Sequence, residues 1–140
     1  MKEITRNDKQ CGFTLLELLI TLAIVGTLIA ISVPVYQYYV IKTHRAQAAV
    51  ALMDIASALE RYHAIHHTYV GATLADLEAN HPVQSEYYRL DINGATENAY
   101  GLSAIPLGKQ AEDKMCGTLS INQSGEKNIS GLGNIKDCWP

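Results

Sequence analysis

At 140 residues and 15.3 kDa the chain has room for one compact domain and an accessory segment, but not for two full cores. Its formal net charge is −3, from 11 basic and 14 acidic residues, so it lacks the basic excess that marks a nucleic-acid-binding surface. No block of like charges marks a disordered tail.

The chain opens on a short polar segment carrying Lys2, Arg6 and Lys9. From Phe13 to Val33 there follow 21 residues with a single charge, Glu17. At about 1.5 Å per residue a helix of that length measures about 31 Å, the thickness of a bilayer's hydrocarbon core. A secretory signal would end in a cleavage site of small residues. Here Pro34, Val35, Tyr36 and Gln37 follow instead, which favours a retained spanning helix. Glu17 does not suit a plain anchor, because a carboxylate at a helix centre in lipid costs about 2.5–3.5 kcal/mol. Either it sits shallow enough to reach water, or it has a cationic partner.

The segment Gly12-Phe13-Thr14-Leu15-Leu16-Glu17, after a short charged leader and ahead of an apolar helix, resembles the prepilin signal of type IV pilins and the related pseudopilins. That resemblance implies cleavage by a membrane peptidase between Gly12 and Phe13, with residues 1–12 lost and Phe13 N-methylated. Glu17 then becomes the fifth residue of the mature chain, where the family carries its glutamate, and Pro34 matches the family's helix-kinking proline. Pairing of the new ammonium with a neighbouring subunit's Glu17 would neutralise two charges in an apolar bundle. Breaking such a buried pair costs about 3–5 kcal/mol, so the pair sets axial register. Cys11 follows Asp8, Lys9 and Gln10 with no apolar stretch ahead, so it does not suit lipidation, and it leaves with the leader. Lys42 and Arg45 follow the helix and blunt the positive-inside signal. Outward placement of the C-terminal part therefore rests on the resemblance and on the cysteines.

Beyond Tyr36, Tyr38 and Tyr39, which suit the lipid–water boundary or a filament interface, Ala48, Leu52, Ile55, Leu59, Tyr62 and His66 recur at alternating spacings of four and three. They form one amphipathic stripe, with Arg45, Asp54, Glu60 and Arg61 elsewhere on the cylinder. One long helix is expected from about Phe13 to about Tyr62. Thr73 to Glu78 reads as a short helix capped by Thr73. Strands are expected over Tyr87–Asn93, ended by Asn93-Gly94, over Tyr100–Ile105, over Cys116–Ile121, and from Lys127 to Ser130 after the Gln123-Ser124-Gly125 turn. Gly131 and Gly133 mark the loop to Cys138.

Cys116 and Cys138 lie on one side of the apolar run and Cys11 on the other. In an exported domain such a pair reads as a disulfide, whereas in the cytosol it would remain as thiols. The segment CGTLSINQSGEKNI followed by Cys138-Trp139-Pro140 resembles minor type IV pilins of the PilE-like kind, in which two cysteines bracket a disulfide-bounded C-terminal loop. The implied bond closes 22 positions and contributes about 3 kcal/mol on the chain-entropy model.

Other chemistry finds no frame. His63 and His67 have the i,i+4 spacing of zinc ligands, with His66 beside them. No H-E-x-x-H or nearby cysteine completes a set, and a helix C-terminus accounts for cationic residues there. Asp76, Glu78, Glu86 and Asp91 are scattered, not arranged as a calcium loop. No nucleophile motif or phosphate loop is present. Loss of the leader removes three basic and two acidic residues, leaving 8 against 12 and a charge of −4. Direct nucleic-acid binding is therefore not expected, nor is a cofactor, a metal or an enzymatic activity.

The expectation is an α+β pilin fold. Residues 1–12 form the leader, 13–41 a membrane and filament-core helix, and 42–140 a globular domain of helix plus antiparallel sheet. The function implied by the resemblance is a minor subunit of a type IV pilus, used for adhesion, twitching motility or DNA uptake. It would be held in the inner membrane with its C-terminal domain in the periplasm, then assembled into an extracellular filament. Its partners would be other pilin subunits, the prepilin peptidase and the inner-membrane assembly machinery. The alternative is a pseudopilin of a type II secretion system.

Overall fold

The computed structural model describes residues 12–77 and 86–139. The first eleven leader residues, and Glu78 at the end of the expected short helix, lie outside them. The chain divides into two units, one ending at Gln37 and the other beginning at Tyr38.

The first unit is helical from Leu15, the first residue of α1 (Leu15–His66). Its start is set by local chemistry: the Thr14 hydroxyl accepts from the Glu17 backbone N–H at 3.2 Å, and Leu18 N–H donates to the Thr14 carbonyl. Thr14 is thus the N-cap, and Glu17 sits at the third helical position, where a negative charge suits the helix dipole. The apolar side chains of this unit are exposed all round, with Phe13 at 80% and Leu22 at 61%. By length and composition the segment can cross a membrane. Its hydroxyls do not demand water: Thr21, Thr27 and Ser32 donate back to the carbonyls of Leu18, Ile24 and Leu28 at 2.7–2.8 Å. The helix continues through Pro34, which lacks the N–H that the Ala30 carbonyl would accept.

The second unit contains the rest of α1, which runs to His66, one turn beyond the sequence expectation. His67 ends it in the left-handed region (φ 57°), its N–H bonding the His63 carbonyl at 2.7 Å. The stripe is buried at Ala48, Leu52, Ile55 and Leu59, half-buried at Tyr62, and exposed at His66. Three alanines, 48, 49 and 51, widen it and let the sheet approach closely. That sheet is a four-stranded antiparallel meander in the order β1 (Tyr88–Asn93), β2 (Gly101–Pro106), β3 (Leu119–Asn122) and β4 (Lys127–Ile129). Pairing Leu90 with Ala104 and Ala104 with Leu119 sends one row of apolar residues toward the helix. Tyr88, Leu102, Ile121 and Trp139 complete the core. Each fully buried Leu or Ile contributes about 1.5–3 kcal/mol.

Four local expectations change. Thr73 does cap, exchanging bonds with Asp76 through hydroxyl, carboxylate and both backbone N–H groups, but residues 74–77 form a turn and not a helix. Asn93-Gly94 opens a longer loop, closed by Thr96 and Ala99, so it is not a two-residue hairpin. Strand β3 begins at Leu119 and not at Cys116, because Gly117 adopts φ 59°. Arg45 does not lie away from the apolar stripe: it is buried, 7% exposed, on the core side of α1.

Candidate functional site

At the N-terminal end, Gly12, Phe13 and Thr14 precede the helix, so the Gly12–Phe13 bond lies outside the hydrogen-bonded ladder. Phe13 and Glu17 are exposed. Among the described residues the one salt bridge is elsewhere, so Glu17 has no intrachain cation in this structure.

The C-terminal end is a built site. Cys116 and Cys138 are bonded, with Cα atoms 5.6 Å apart, and both are buried. Arg45 reaches from α1 to both sides of the bridge. Its Nε and Nη2 donate to Asp113 Oδ2 at 3.1 and 2.7 Å, and Nη1 donates to the Asp137 carbonyl at 3.3 Å. Asp113 Oδ1 in turn accepts from Cys116 N–H at 3.4 Å. Next to it, Gln110, in a 3-10 turn over Gly108–Glu112, donates to the Ile41 carbonyl and to the Tyr88 hydroxyl. Among the described residues no buried side-chain nitrogen or oxygen is left without a partner.

The glycines flanking Leu132 permit a close approach of two strands of backbone. Gly131 N–H bonds the Cys116 carbonyl, Leu132 N–H that of Lys114, and Gly133 N–H that of Met115. A Cβ on Gly131 would collide with the Met115 carbonyl. Trp139 closes the far side, its indole N–H on the Asn128 carbonyl and the Lys127 ammonium 5.1 Å from the ring centroid. Between α1 and this turn lies an open cleft of about 470 Å³, lined by Tyr38, Lys42, Arg45, Met115, Lys136, Asp137 and Trp139 among others.

Two of the clustered histidines, His63 and His66, have aromatic neighbours. His63 stacks on Tyr69 at 4.4 Å with Nε2 on the Glu97 carbonyl, and His66 lies on Tyr62. Among the described residues no group of three ligands is arranged to hold a metal. Tyr69 donates to Glu60 and meets Tyr100 edge-on at 4.8 Å. Burial, reinforced by the nearby Glu60 carboxylate, raises the pKa of both phenols. Burial also raises Tyr88, against the hydrogen bond from Gln110.

Sequence reasoning missed three of these residues. Thr14 was legible as Thr-x-x-Glu ahead of an apolar run. Arg45 was legible in its spacing, three, four and seven positions before Ala48, Ala49 and Leu52. Gln110 has no sequence signal.

The order of an apolar helix long enough to span a membrane, a four-stranded meander and a disulfide-bounded turn defines a pilin-like subunit, and the comparisons agree. Residues 34–120 match the family model for "Type IV minor pilin ComP, DNA uptake sequence receptor", and residues 7–33 match the prokaryotic N-terminal methylation motif. A fimbrial protein of Neisseria meningitidis is 33% identical over 84 residues, 59% of this chain and 49% of the relative. The type IV major alpha-pilin of Moraxella bovis is 27% identical over 141 residues, 92% of this chain and 86% of its own length. Among solved structures, a type IV pilin from Shewanella oneidensis superposes with a TM-score of 0.53 at 26% identity, covering 71% of this chain and 98% of that one. The chain spans about half the length of the Neisseria relative. It belongs to the type IV pilins, in the family of that minor-pilin model. Type IV pilins are non-enzymatic subunits that assemble with other pilins into filaments.

Proposed function

We propose that this chain is a minor subunit of a type IV pilus that serves DNA uptake. The match of residues 34–120 to the minor-pilin model carries this reading, because that model describes a DNA uptake receptor. The mature charge of −4 supplies no overall basic excess, so contact with phosphates falls to local cations.

The precursor is cut between Gly12 and Phe13, the new terminus is N-methylated, and residues 13–41 hold the subunit in the inner membrane with residues 42–140 in the periplasm. The prepilin peptidase and the assembly machinery are its transient partners. The methylation-motif match and the exposed apolar helix support this sequence of events. Mass spectrometry of the mature N-terminus checks the processing step, and an intact Met1 in cells holding the peptidase counts against it.

The role is tested by in-frame deletion, with filaments sheared from cells and uptake of labelled DNA scored in parallel. Expected are filaments that still form, contain the subunit in the parent strain, and support little DNA uptake in the deletion strain. Unchanged uptake overturns the receptor role, and complete loss of filaments makes the chain a major subunit. Absence from sheared filaments, with a secretion defect, identifies a pseudopilin.

A further inference from the structure

We propose that the cleft beside the Cys116–Cys138 turn seats the headgroup of an anionic phospholipid, with Lys42 and Lys136 on the phosphate. The inference rests on the reading of residues 13–41 as a membrane anchor and goes beyond it, since it gives the globular domain its own membrane contact.

Three observations converge. The first is charge. Of the three cations lining the cleft, Arg45 is committed to Asp113 and the Asp137 carbonyl, whereas Lys42 and Lys136 are exposed and join no ion pair among the described residues. Among the described residues the one lining carboxylate is that of Asp137, so there the lysines leave a net positive charge.

The second is apolar exposure on a rigid frame. Leu132 is 93% exposed, Met115 58% and Ile135 40%. Their backbone is held by the disulfide and by the ladder joining 131–133 to 114–116. Met115 lines the cleft with the lysines, and Leu132 and Ile135 lie in the segment that leads to Lys136. Exposed apolar side chains on the same turn as a lysine suit an interface, in which the lysines meet headgroups and the apolar groups reach the acyl boundary. A free phosphate or a nucleic-acid backbone would use the lysines and have no use for Leu132.

The third is continuity with the anchor. Residues 18–41 carry no charge, and Lys42 is the first charged residue after them, four positions beyond Tyr38 on the same side of α1. A tyrosine followed by a lysine at the end of an uncharged apolar run is the pattern of the lipid–water boundary, where each lysine near an anionic surface contributes about fivefold in binding.

Trp139, the chain's one tryptophan, lines this cleft and reports on it. The full-length protein is reconstituted in nanodiscs of phosphatidylcholine, with or without phosphatidylglycerol, and Trp139 fluorescence is quenched with a lipid spin-labelled near its headgroup. Stronger quenching is expected with phosphatidylglycerol. That gain should fall about fivefold for each of Lys42→Gln and Lys136→Gln and return with arginine at both positions, all variants keeping the disulfide and the wild-type melting profile. Equal quenching in the two lipids, or a gain indifferent to both lysines, overturns the proposal. So does a change produced in phosphatidylcholine discs by inorganic phosphate or duplex DNA, which assigns the cleft to a soluble anion or to nucleic acid. Failure to insert into phosphatidylcholine discs overturns the anchor reading and the proposal with it, whereas insertion with equal quenching overturns the cleft alone.

Discussion

Arg45 shows how one side chain can hold the end of a domain. Its guanidinium is nine-tenths buried, and three of its bonds fix Asp113 and the carbonyl beside Cys138. Arg45→Ala strands the Asp113 carboxylate in the interior, so the domain should lose about 3–5 kcal/mol in urea unfolding. Arg45→Lys keeps the charge but not the planar fork, and its loss should fall between wild type and alanine. Equal stability of all three would show that water replaces the hook. Glu17 presents the opposite case, an exposed carboxylate with no ion pair among the described residues. Glu17→Gln retains the shape of the N3 residue opposite Thr14 and removes the charge. Reduced entry into filaments with normal leader removal, read from sheared pili and mass spectrometry, is the expected result if Glu17 pairs with a neighbour's N-terminus. Normal incorporation removes that pairing.

At the scale of elements, the long helix and the sheet were legible for different reasons. The apolar run and the four-and-three spacing are strong periodic signals, so α1 was placed within one turn of its observed ends. The strands were found because Asn93-Gly94, Pro106 and Ser124-Gly125 punctuate them. Their edges moved where a backbone requirement overrode the alternation, as at Gly117. The 3-10 turn and the final helical turn, Ile135–Cys138, carry no periodicity and are fixed by tertiary contacts to Ile41, Tyr88 and Arg45. The helix ends on His67, a non-glycine residue in the left-handed region. His67→Gly relieves a strain of about 1–2 kcal/mol, part of which returns as unfolded-chain entropy. A small rise in melting temperature is the expected outcome, and a fall would mean that the imidazole makes a compensating contact.

For the molecule as a whole, the buried phenols set an alkaline limit. Tyr69, Tyr88 and Tyr100 all have pKa values raised above the usual 10.0, first by burial and then, for Tyr69 and Tyr100, by Glu60. The folded state therefore holds protons that the unfolded chain releases, so the contribution of these phenols to stability is level below about pH 10 and declines as pH rises beyond it. Tyr100→Phe should flatten that decline in unfolding curves taken across the alkaline range. A slope unchanged in the variant would assign the limit to other groups.

The hook from Arg45 also orders events in time. Neighbouring strands in the meander are consecutive in the chain and pair across connections of 7, 12 and 4 residues, whereas Arg45 meets Asp113 and Asp137 across 68 and 92 residues. Loop-closure entropy places such distant contacts late, after the local hairpins have formed. Contacts absent from the transition state act on unfolding and not on folding. In stopped-flow measurements Arg45→Ala should therefore leave the refolding rate nearly untouched and accelerate unfolding. The hook then works as a latch that sets how long the domain stays folded once its sheet has assembled.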